Sequence, residues 1–395
     1  MLEHFIGINF LIRNDCNQNF PDLNNIITNF STFKELNKEL DDIQNYINIV
    51  FNSISIDKGK IFYPTHNPKI SIVITVYNGE GYLKTALLSI QNQDFKDIEI
   101  IMVDDGSLDK SVQLIRELMA KEPRIVLYQN KENKGMLYTK TKGILSAKGK
   151  YILLLDEDDI FIQRDAFSTL YQQAEKNNLD LLGFKLIISK PKLKKLQIKR
   201  IKIEPPIIFQ PELSEKMFKH ISREKIKKIG GYLTNYFVKT NILIKVIKQI
   251  DEKILNVKMN FHDDYVLFFL LTRNAHNLQK IDRFFYLVLR GWNTTNQNIK
   301  FRNQEKSRNR KYMRCNSLLN FIEFILKNTK NTYYDKKIAF YSYNRWFLSY
   351  WCRNFNATLE RAIYISRLYL KDKYIEDKDK FKIKKFLSGI KIRKF

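Results

Sequence analysis

Four consecutive acids, Asp156-Glu157-Asp158-Asp159, follow the apolar run Tyr151–Leu155 and are the residues in this chain best suited to chemistry. Carboxylates this close repel one another and raise one another's pKa. In a chain of formal net charge +26 such a density invites a counter-ion. Side chains alternate along an extended segment, so Asp156 and Asp158 face the same way. Two hard oxygen ligands leave most of the shell of a divalent cation, Mn²⁺ or Mg²⁺, to water and substrate phosphates. A competing reading makes the acids a turn before a helix over Asp165–Lys176, favoured by that helix's dipole. Two other apolar runs end in polar clusters. Ile70–Val76 leads into Tyr77-Asn78-Gly79, and Ile98–Val103 leads into Asp104-Asp105-Gly106-Ser107.

The elements that must position these clusters are legible from periodicity. Ile70–Val76 is β-branched except for Ser71, the pattern of a strand buried on both faces. Helices are expected around Tyr82–Ile90, Leu108–Lys121 and Tyr138–Ala147, and strands at Ile98–Val103, Arg124–Tyr128 and Tyr151–Leu155. Strands alternating with helices predict an open, mostly parallel α/β sheet with helices on both faces. Such sheets bind ligands beyond the carboxyl ends of their strands, where all three polar clusters fall. Upstream, Phe33, Leu36, Leu40, Ile43, Ile47, Val50, Phe51 and Ile54 form one helical stripe, with Thr32 and Glu35 as its capping box. Downstream of Lys190 the alternation weakens, and Asn303–Leu370 reads as helical and aromatic, with Trp346 and Trp351.

Five elements in order carry a resemblance: Ile72–Asn78, Val103–Ser107, Asn133-Lys134-Gly135, Gly143–Tyr151 and Leu155–Asp159. Together they resemble glycosyltransferase family 2, over about ninety residues whose order and spacing both match. The resemblance implies a Rossmann-like GT-A fold, a nucleotide-sugar donor (a UDP-sugar), a divalent cation and inversion at the anomeric carbon. It implies that Thr75 and Tyr77 flank the nucleobase and that Asp105 hydrogen-bonds it. By the same resemblance Asp156 faces the ribose and the metal, and Asp158 is the main metal ligand. The family's Glu-Asp pair has its counterpart in His262-Asp263-Asp264, which makes Asp264 the base with Asp263 beside it. Acids favoured at a helix N-terminus are the simpler account of that pair. Lys140 stands where the family often has arginine, keeping the charge and losing the bidentate fork. Arg290, at the start of Arg290–Thr295, resembles a phosphate-pairing residue of a mobile loop. Trp292 reads equally as a lid or as a buried structural residue. Glu157 replaces a residue that is usually small.

The remaining composition sets bounds. A chain of 395 residues that is 44% hydrophobic is globular. Cys16, Cys315 and Cys352 lack metal-ligand spacing, which suits a reducing, cytoplasmic setting. Met1–Arg13 lacks a basic start and a small-residue cleavage site, so no secretory signal is expected. Basic stretches at Lys190–Lys202, Lys300–Arg314 and Lys378–Lys394 suit solvated surface, or peripheral contact with acidic lipid. No aromatic-interleaved RNA motif accompanies them, so no nucleic-acid partner is expected. A Gly-x-Gly-x-x-Gly after a strand is absent, which argues against an oxidoreductase, and Tyr77–Gly81 is not the glycine-rich basic loop of a nucleotidyltransferase. The expected organisation is an N-terminal helical extension over 1–67, a GT-A domain over 68–295 and a helical, basic region over 296–395. The expected acceptor is a hydroxyl of a glycan, lipid-linked glycan or protein. The alternative function is an inactive GT-A module that binds a nucleotide, glycan or partner; Asp105, Asp156, Asp158 and Asp264 occurring together weigh against it.

Overall fold

The computed structural model describes residues 30–52, 54–57, 59–189, 233–257, 259 and 263–289, with helical pieces at 319–320, 322–324, 363–367, 370–371 and 377–388. His262, Arg290–Thr295, Lys190–Lys202, Lys300–Arg314, Trp346 and Trp351 lie outside the described residues.

The β-branched run forms β1 (Ile70–Val76), buried at every position. It pairs in parallel with β2 (Ile98–Asp104) on one side and β4 (Tyr151–Asp156) on the other. β3 (Ile125–Gln129) continues the parallel set beyond β2. The register sets Val76 beside Asp104 and Thr75 beside Asp156, so the three polar strand ends stand side by side. The sheet continues past β4 through β5 (Ile160–Phe161), β6 (Leu181–Ser189), β7 (Tyr236–Lys239) and β8 (Leu278–Leu289), in the order β3-β2-β1-β4-β7-β6-β8-β5. This second half is mixed. β7 runs antiparallel to β4 and β6, β6 runs parallel to β8, and β5 runs antiparallel to β8. The reason for the reversal is where β7 begins. A 3₁₀ turn, Leu233–Asn235, delivers it beside the carboxyl end of β4, so it must run back down the sheet. Tyr151 pairs with Lys239 and Ile152 with Val238. Carrying that register forward brings Thr234 level with Asp156.

Helices cover both faces, as expected. α1 (Phe30–Phe51) comes first, followed by α2 (Leu83–Gln91), α3 (Ser111–Met119), α4 (Met136–Leu145) and α5 (Ala166–Lys176). After the gap follow α6 (Thr240–Ile247), α7 (Glu252–Leu255), α8 (Asp263–Asn274) and α9 (Asp377–Ser388). On one face, Leu137 and Ile144 of α4, Leu243 and Val246 of α6, and Val266 and Leu267 of α8 pack on Val73, Ile152 and Leu154. On the other, α2, α3 and α5 pack on Ile72, Ile74, Leu153 and Leu155. α4 lies especially close to the sheet, because Gly143 leaves no side chain between the helix and Val73.

The N-terminal stripe packs on the far edge of the sheet. Ile43, Tyr46, Ile47 and Val50 share a core with Ile160, Ile162, Phe284 and Leu287. The Glu39 carboxylate accepts hydrogen bonds from Gln163 Nε2 (2.8 Å) and from the Phe284 amide (3.3 Å). Two expectations need correction. The helix already includes Phe30 and Ser31, so Thr32 lies inside it and cannot be its N-cap; and it ends at Phe51, leaving Ile54 beyond it and half exposed. Among the described residues no helix is long and apolar enough to cross a membrane.

The end of β8 is tied to the acidic motif. The Tyr286 hydroxyl donates to Asp159 Oδ2 (2.9 Å) and accepts from the Asp156 amide (3.2 Å). The Leu289 amide donates to Asp159 Oδ1 (3.0 Å). Asp159 thus serves the scaffold, and Leu289, the residue before Arg290, departs from the same edge.

Two stability predictions follow from these contacts. A Cβ at Gly143 would stand 2.4 Å from Val73 Cγ1. Gly143→Ala should therefore lose about 1–3 kcal/mol through overpacking, outweighing the roughly 1 kcal/mol gained in helix propensity. Equal or greater resistance to urea would refute that packing. Tyr286→Phe should cost about 1–3 kcal/mol by leaving the buried Asp159 without its hydroxyl partner, read as a lower urea midpoint at unchanged slope.

Candidate active site

The site is assembled on the carboxyl edge of β2, β1 and β4, and each strand end is held differently. After β2, Asp104 accepts from the amides of Gly106 and Ser107, closing a turn in which Gly106 has φ +71°. A side chain on Gly106 would meet the backbone of Glu132 and Asn133 within 3 Å, so this turn and the loop after β3 are packed backbone to backbone. Asp105 joins them. Its carboxylate accepts from Asn130 Nδ2 (2.9 Å), the Lys134 amide (2.8 Å) and the Gly135 amide (2.9 Å). The left-handed Gly135, at φ +94°, lets two successive amides converge on it. Val103–Ser107 and Asn133–Gly135, separate in sequence, are therefore one hydrogen-bonded unit. Asp105 is 1% exposed, so its first task is to hold this loop.

After β1, the buried Thr75 Oγ1 has no hydrogen-bond partner among the described residues. Tyr77, half-buried, follows at the rim. Asn78 adopts a left-handed conformation (φ 55°), its amide donates to Ser107 Oγ (2.9 Å), and its Oδ1 accepts from the Leu108 amide (2.8 Å). The β1 and β2 ends are thereby locked together.

After β4, Asp156 emerges on the face covered by α4 and α8, in line with Ile152 and Leu154. Its Oδ1 is buried and, among the described residues, without a hydrogen-bond partner. Burial pushes the Asp156 carboxyl up, with Lys140 opposing and Asp264 adding to the rise. Asp158 is buried. Glu157 turns back over β1, where the missing side chain of Gly79 makes room: a Cβ there would lie 2.9 Å from Glu157 Cγ. Burial, then Asp158 and Asp156, raise the Glu157 carboxyl well above its ordinary range. These features fit a divalent cation: hard oxygens, crowded negative charge and an orphaned oxygen on Asp156. Among the described residues no group of three or more His, Cys, Asp or Glu side chains forms a metal cage. A cation held here would take two protein carboxylates and draw its other ligands from water and substrate.

Asp263 and Asp264 open α8. Lys140, from α4, reaches them both: Nζ lies 2.7 Å from Asp263 Oδ2 and 2.7 Å from Asp264 Oδ1. Burial alone would lower the pKa of this ammonium, but Asp263, Asp264 and Asp156 outweigh it and hold it well above the ordinary range. Burial raises the Asp264 carboxyl; Lys140 opposes that rise, as does a hydrogen bond from the Leu233 backbone.

The structure thus brings together Thr75, Lys140, Asp156, Asp158, Asp263 and Asp264. Asp105 and Tyr77 stand at the neighbouring strand ends, and Arg290 lies outside the described residues. Sequence reasoning passed over Tyr286, the Leu233–Asn235 turn and the Lys140 partners. For Lys140 a signal existed: Leu137, Lys140 and Ile144, at steps of three and four, set it on the buried stripe of its helix.

Residues 71–232 match the family model described as Glycosyl transferase family 2. An uncharacterized glycosyltransferase of Haemophilus influenzae is 43% identical over 98 residues, 25% of this chain and 39% of that protein. The GalNAc(5)-diNAcBac-PP-undecaprenol beta-1,3-glucosyltransferase of Campylobacter jejuni is 36% identical over 129 residues, 32% of this chain and 41% of that protein. The chain thus spans about two fifths of the length of these relatives. Among solved structures, S. aureus TarS 1–349 in complex with UDP-GlcNAc superposes with a TM-score of 0.51 at 16% identity, over 79% of this chain and 82% of that one. That likeness shows the fold, a mixed sheet with helices on both faces. The five sequence elements that share one strand edge all lie within residues 71–232, the segment that is similar to glycosyltransferase family 2.

Proposed function

We propose that this chain transfers a sugar from a UDP-sugar to a hydroxyl group, with inversion at the anomeric carbon. The observation that carries this reading is the convergence of two acid sets on Lys140: Asp156, beside Asp158 at the end of β4, and Asp263 and Asp264 at the start of α8. The two sets are close enough for Asp264 to add to the rise of the Asp156 carboxyl. One set suits a cation and a diphosphate, and the other suits a base. The TarS fold neighbour, bound to UDP-GlcNAc, supports a UDP-sugar as donor class. The Campylobacter relative, named for a glycan on undecaprenol pyrophosphate, supports an acceptor hydroxyl on a glycan, free, lipid-linked or on protein.

In this reading Thr75 and Tyr77 flank the nucleobase and Asp105 completes its recognition, with Thr75 Oγ1 as an open hydrogen-bonding atom. Asp158 and Asp156 would hold a divalent cation, Mn²⁺ or Mg²⁺, which supplies neutralisation of the charge building on the leaving diphosphate. Asp264 accepts the proton of the acceptor hydroxyl as its oxygen bonds to the anomeric carbon. The bond from that carbon to the diphosphate oxygen breaks in the same displacement, its electron pair leaving with UDP. Arg290 pairs with the diphosphate oxygens.

Thermal unfolding with a panel of UDP, UDP-glucose, UDP-N-acetylglucosamine and other nucleotides, with and without Mn²⁺, tests the donor site. A ligand at about a hundred times its Kd should stabilise the fold by roughly 2.7 kcal/mol. The shift should require Mn²⁺ and vanish in Asp158→Asn. The absence of a shift with every nucleotide would refute the donor site. Asp264→Asn should keep that shift yet lower transfer by about 10²–10⁴-fold. A base must be ionised, and burial raises the Asp264 carboxyl. The wild-type rate should therefore fall as pH is lowered through a pKa above the ordinary carboxylate range. Full transfer by Asp264→Asn would remove the base assignment.

A further inference from the structure

Lys140 stands where the family often has arginine, and the resemblance counts it with the nucleotide-sugar-binding residues, but the structure gives its ammonium different company. The side chain is 4% exposed, and its nitrogen meets Asp263 and Asp264, residues 123 and 124 positions away, each at 2.7 Å. Those two bonds take two of its three protons. Its helix presents it on the same buried stripe as Leu137 and Ile144, beneath α8 and behind the open edge of the sheet.

We infer that Lys140 is a positioning residue for the reaction base, fixing the Asp264 carboxylate toward the acceptor and holding no donor phosphate. The inference rests on the glycosyltransferase reading above. The two acids of the pair are not equivalent. Asp263 is the more enclosed, with a side chain 10% exposed against 16% for Asp264. Asp264 is gripped from two sides, by Lys140 through Oδ1 and by the Leu233 backbone. A carboxylate bonded to one ammonium alone can swing about that nitrogen. Sharing the nitrogen with Asp263 and adding the Leu233 contact fixes the plane of Asp264. This is the orientation that proton abstraction needs within hydrogen-bond reach. It also explains why a compact lysine suffices here. A point charge between two carboxylates of adjacent residues needs no planar fork, whereas a bidentate phosphate clamp does.

Charge counting supplies the variant that tests this without breaking the fold. Lys140 with Asp263 and Asp264 carries a net charge of −1. Lys140→Met alone leaves two buried carboxylates uncompensated and is expected to destabilise strongly. Lys140→Met in an Asp263→Asn background restores the buried net charge of −1. Three readouts apply to that double variant and to Asp263→Asn: UDP affinity by calorimetry with Mn²⁺, UDP release from UDP-glucose and from UDP-N-acetylglucosamine, and amide hydrogen exchange over Asp263–Asn274. Relative to Asp263→Asn, the double variant should keep UDP affinity and donor KM within about threefold while kcat falls about 100-fold, the signature of an interaction made only on the way to reaction. Adding Asp264→Asn should cost less than about threefold more, because Lys140 acts through Asp264. A UDP affinity lowered more than about tenfold would make Lys140 a donor ligand, and an unchanged kcat or an additive triple variant would also overturn the inference. If the wild-type protein releases no UDP from either donor, the glycosyltransferase reading loses its support separately. Hydrogen exchange then decides the positioning: loss of Lys140 must speed exchange at the start of α8 by about tenfold, since that turn loses its cross-helix anchor. Unchanged exchange there would reject it.

Discussion

The buried ammonium of Lys140 is the point on which the rest of the site turns. A lysine taken out of water is tolerable only beside opposite charge, and carboxylates at the first turn of a helix only beside a cation or exposed donors. Lys140 and the Asp263–Asp264 pair meet both needs at once, and the meeting fixes α8 against α4. Because α4 also packs on β1 and β2 through Gly143, the helix that begins with the base is referenced to the strands that end in the donor cluster. Asp156, Asp263 and Asp264 are thus placed by a strand and a helix, and Asp158 by the turn directly after that strand.

The sheet does the corresponding work on the donor side. Parallel pairing of β2, β1 and β4 sets three polar strand ends in a row, and small residues let the intervening loops close on one another. Gly106 lets the β2 turn touch the loop after β3; Gly135 lets two amides face Asp105; Gly79 receives Glu157. The unusual glutamate inside the acidic motif is thus accommodated by a residue on the neighbouring strand's loop, and the chain turns at Glu157–Asp158 directly after β4, so the extended alternation expected of Asp156 and Asp158 ends at Asp156. Asp159 spends both oxygens on β8.

The first half of this architecture was legible because it is local. A β-branched run such as Ile70–Val76, interrupted only by Ser71, admits one reading, and polar residues at the ends of such runs fall on one edge whenever the strands are parallel. The motif order added the donor cluster and the acid pair. What escaped was set by long-range pairing. Nothing in Tyr236–Lys239 announces that it will run antiparallel to β4, since its direction follows from where the Leu233–Asn235 turn lands. The Lys140 contact spans 124 positions, and the helix stripe that could have flagged it names a buried lysine without naming its partner. Thr32 and Glu35 have capping-box spacing, but the helix extends through them to Phe30, so the local signal was overridden.

The Glu39 contact has a consequence for the order of assembly. Its carboxylate binds the Phe284 amide, 245 positions later in the chain. α1 is synthesised before every strand it packs on, yet its apolar face has its resting place on β5 and β8, and β8 is the last strand in chain order among the described residues. During synthesis that face must therefore wait, uncovered, while the parallel half forms from local βα units. The final docking of α1 closes the sheet's outer edge only once the chain has passed Leu289, which makes the N-terminal helix the latch on a fold whose centre is already built.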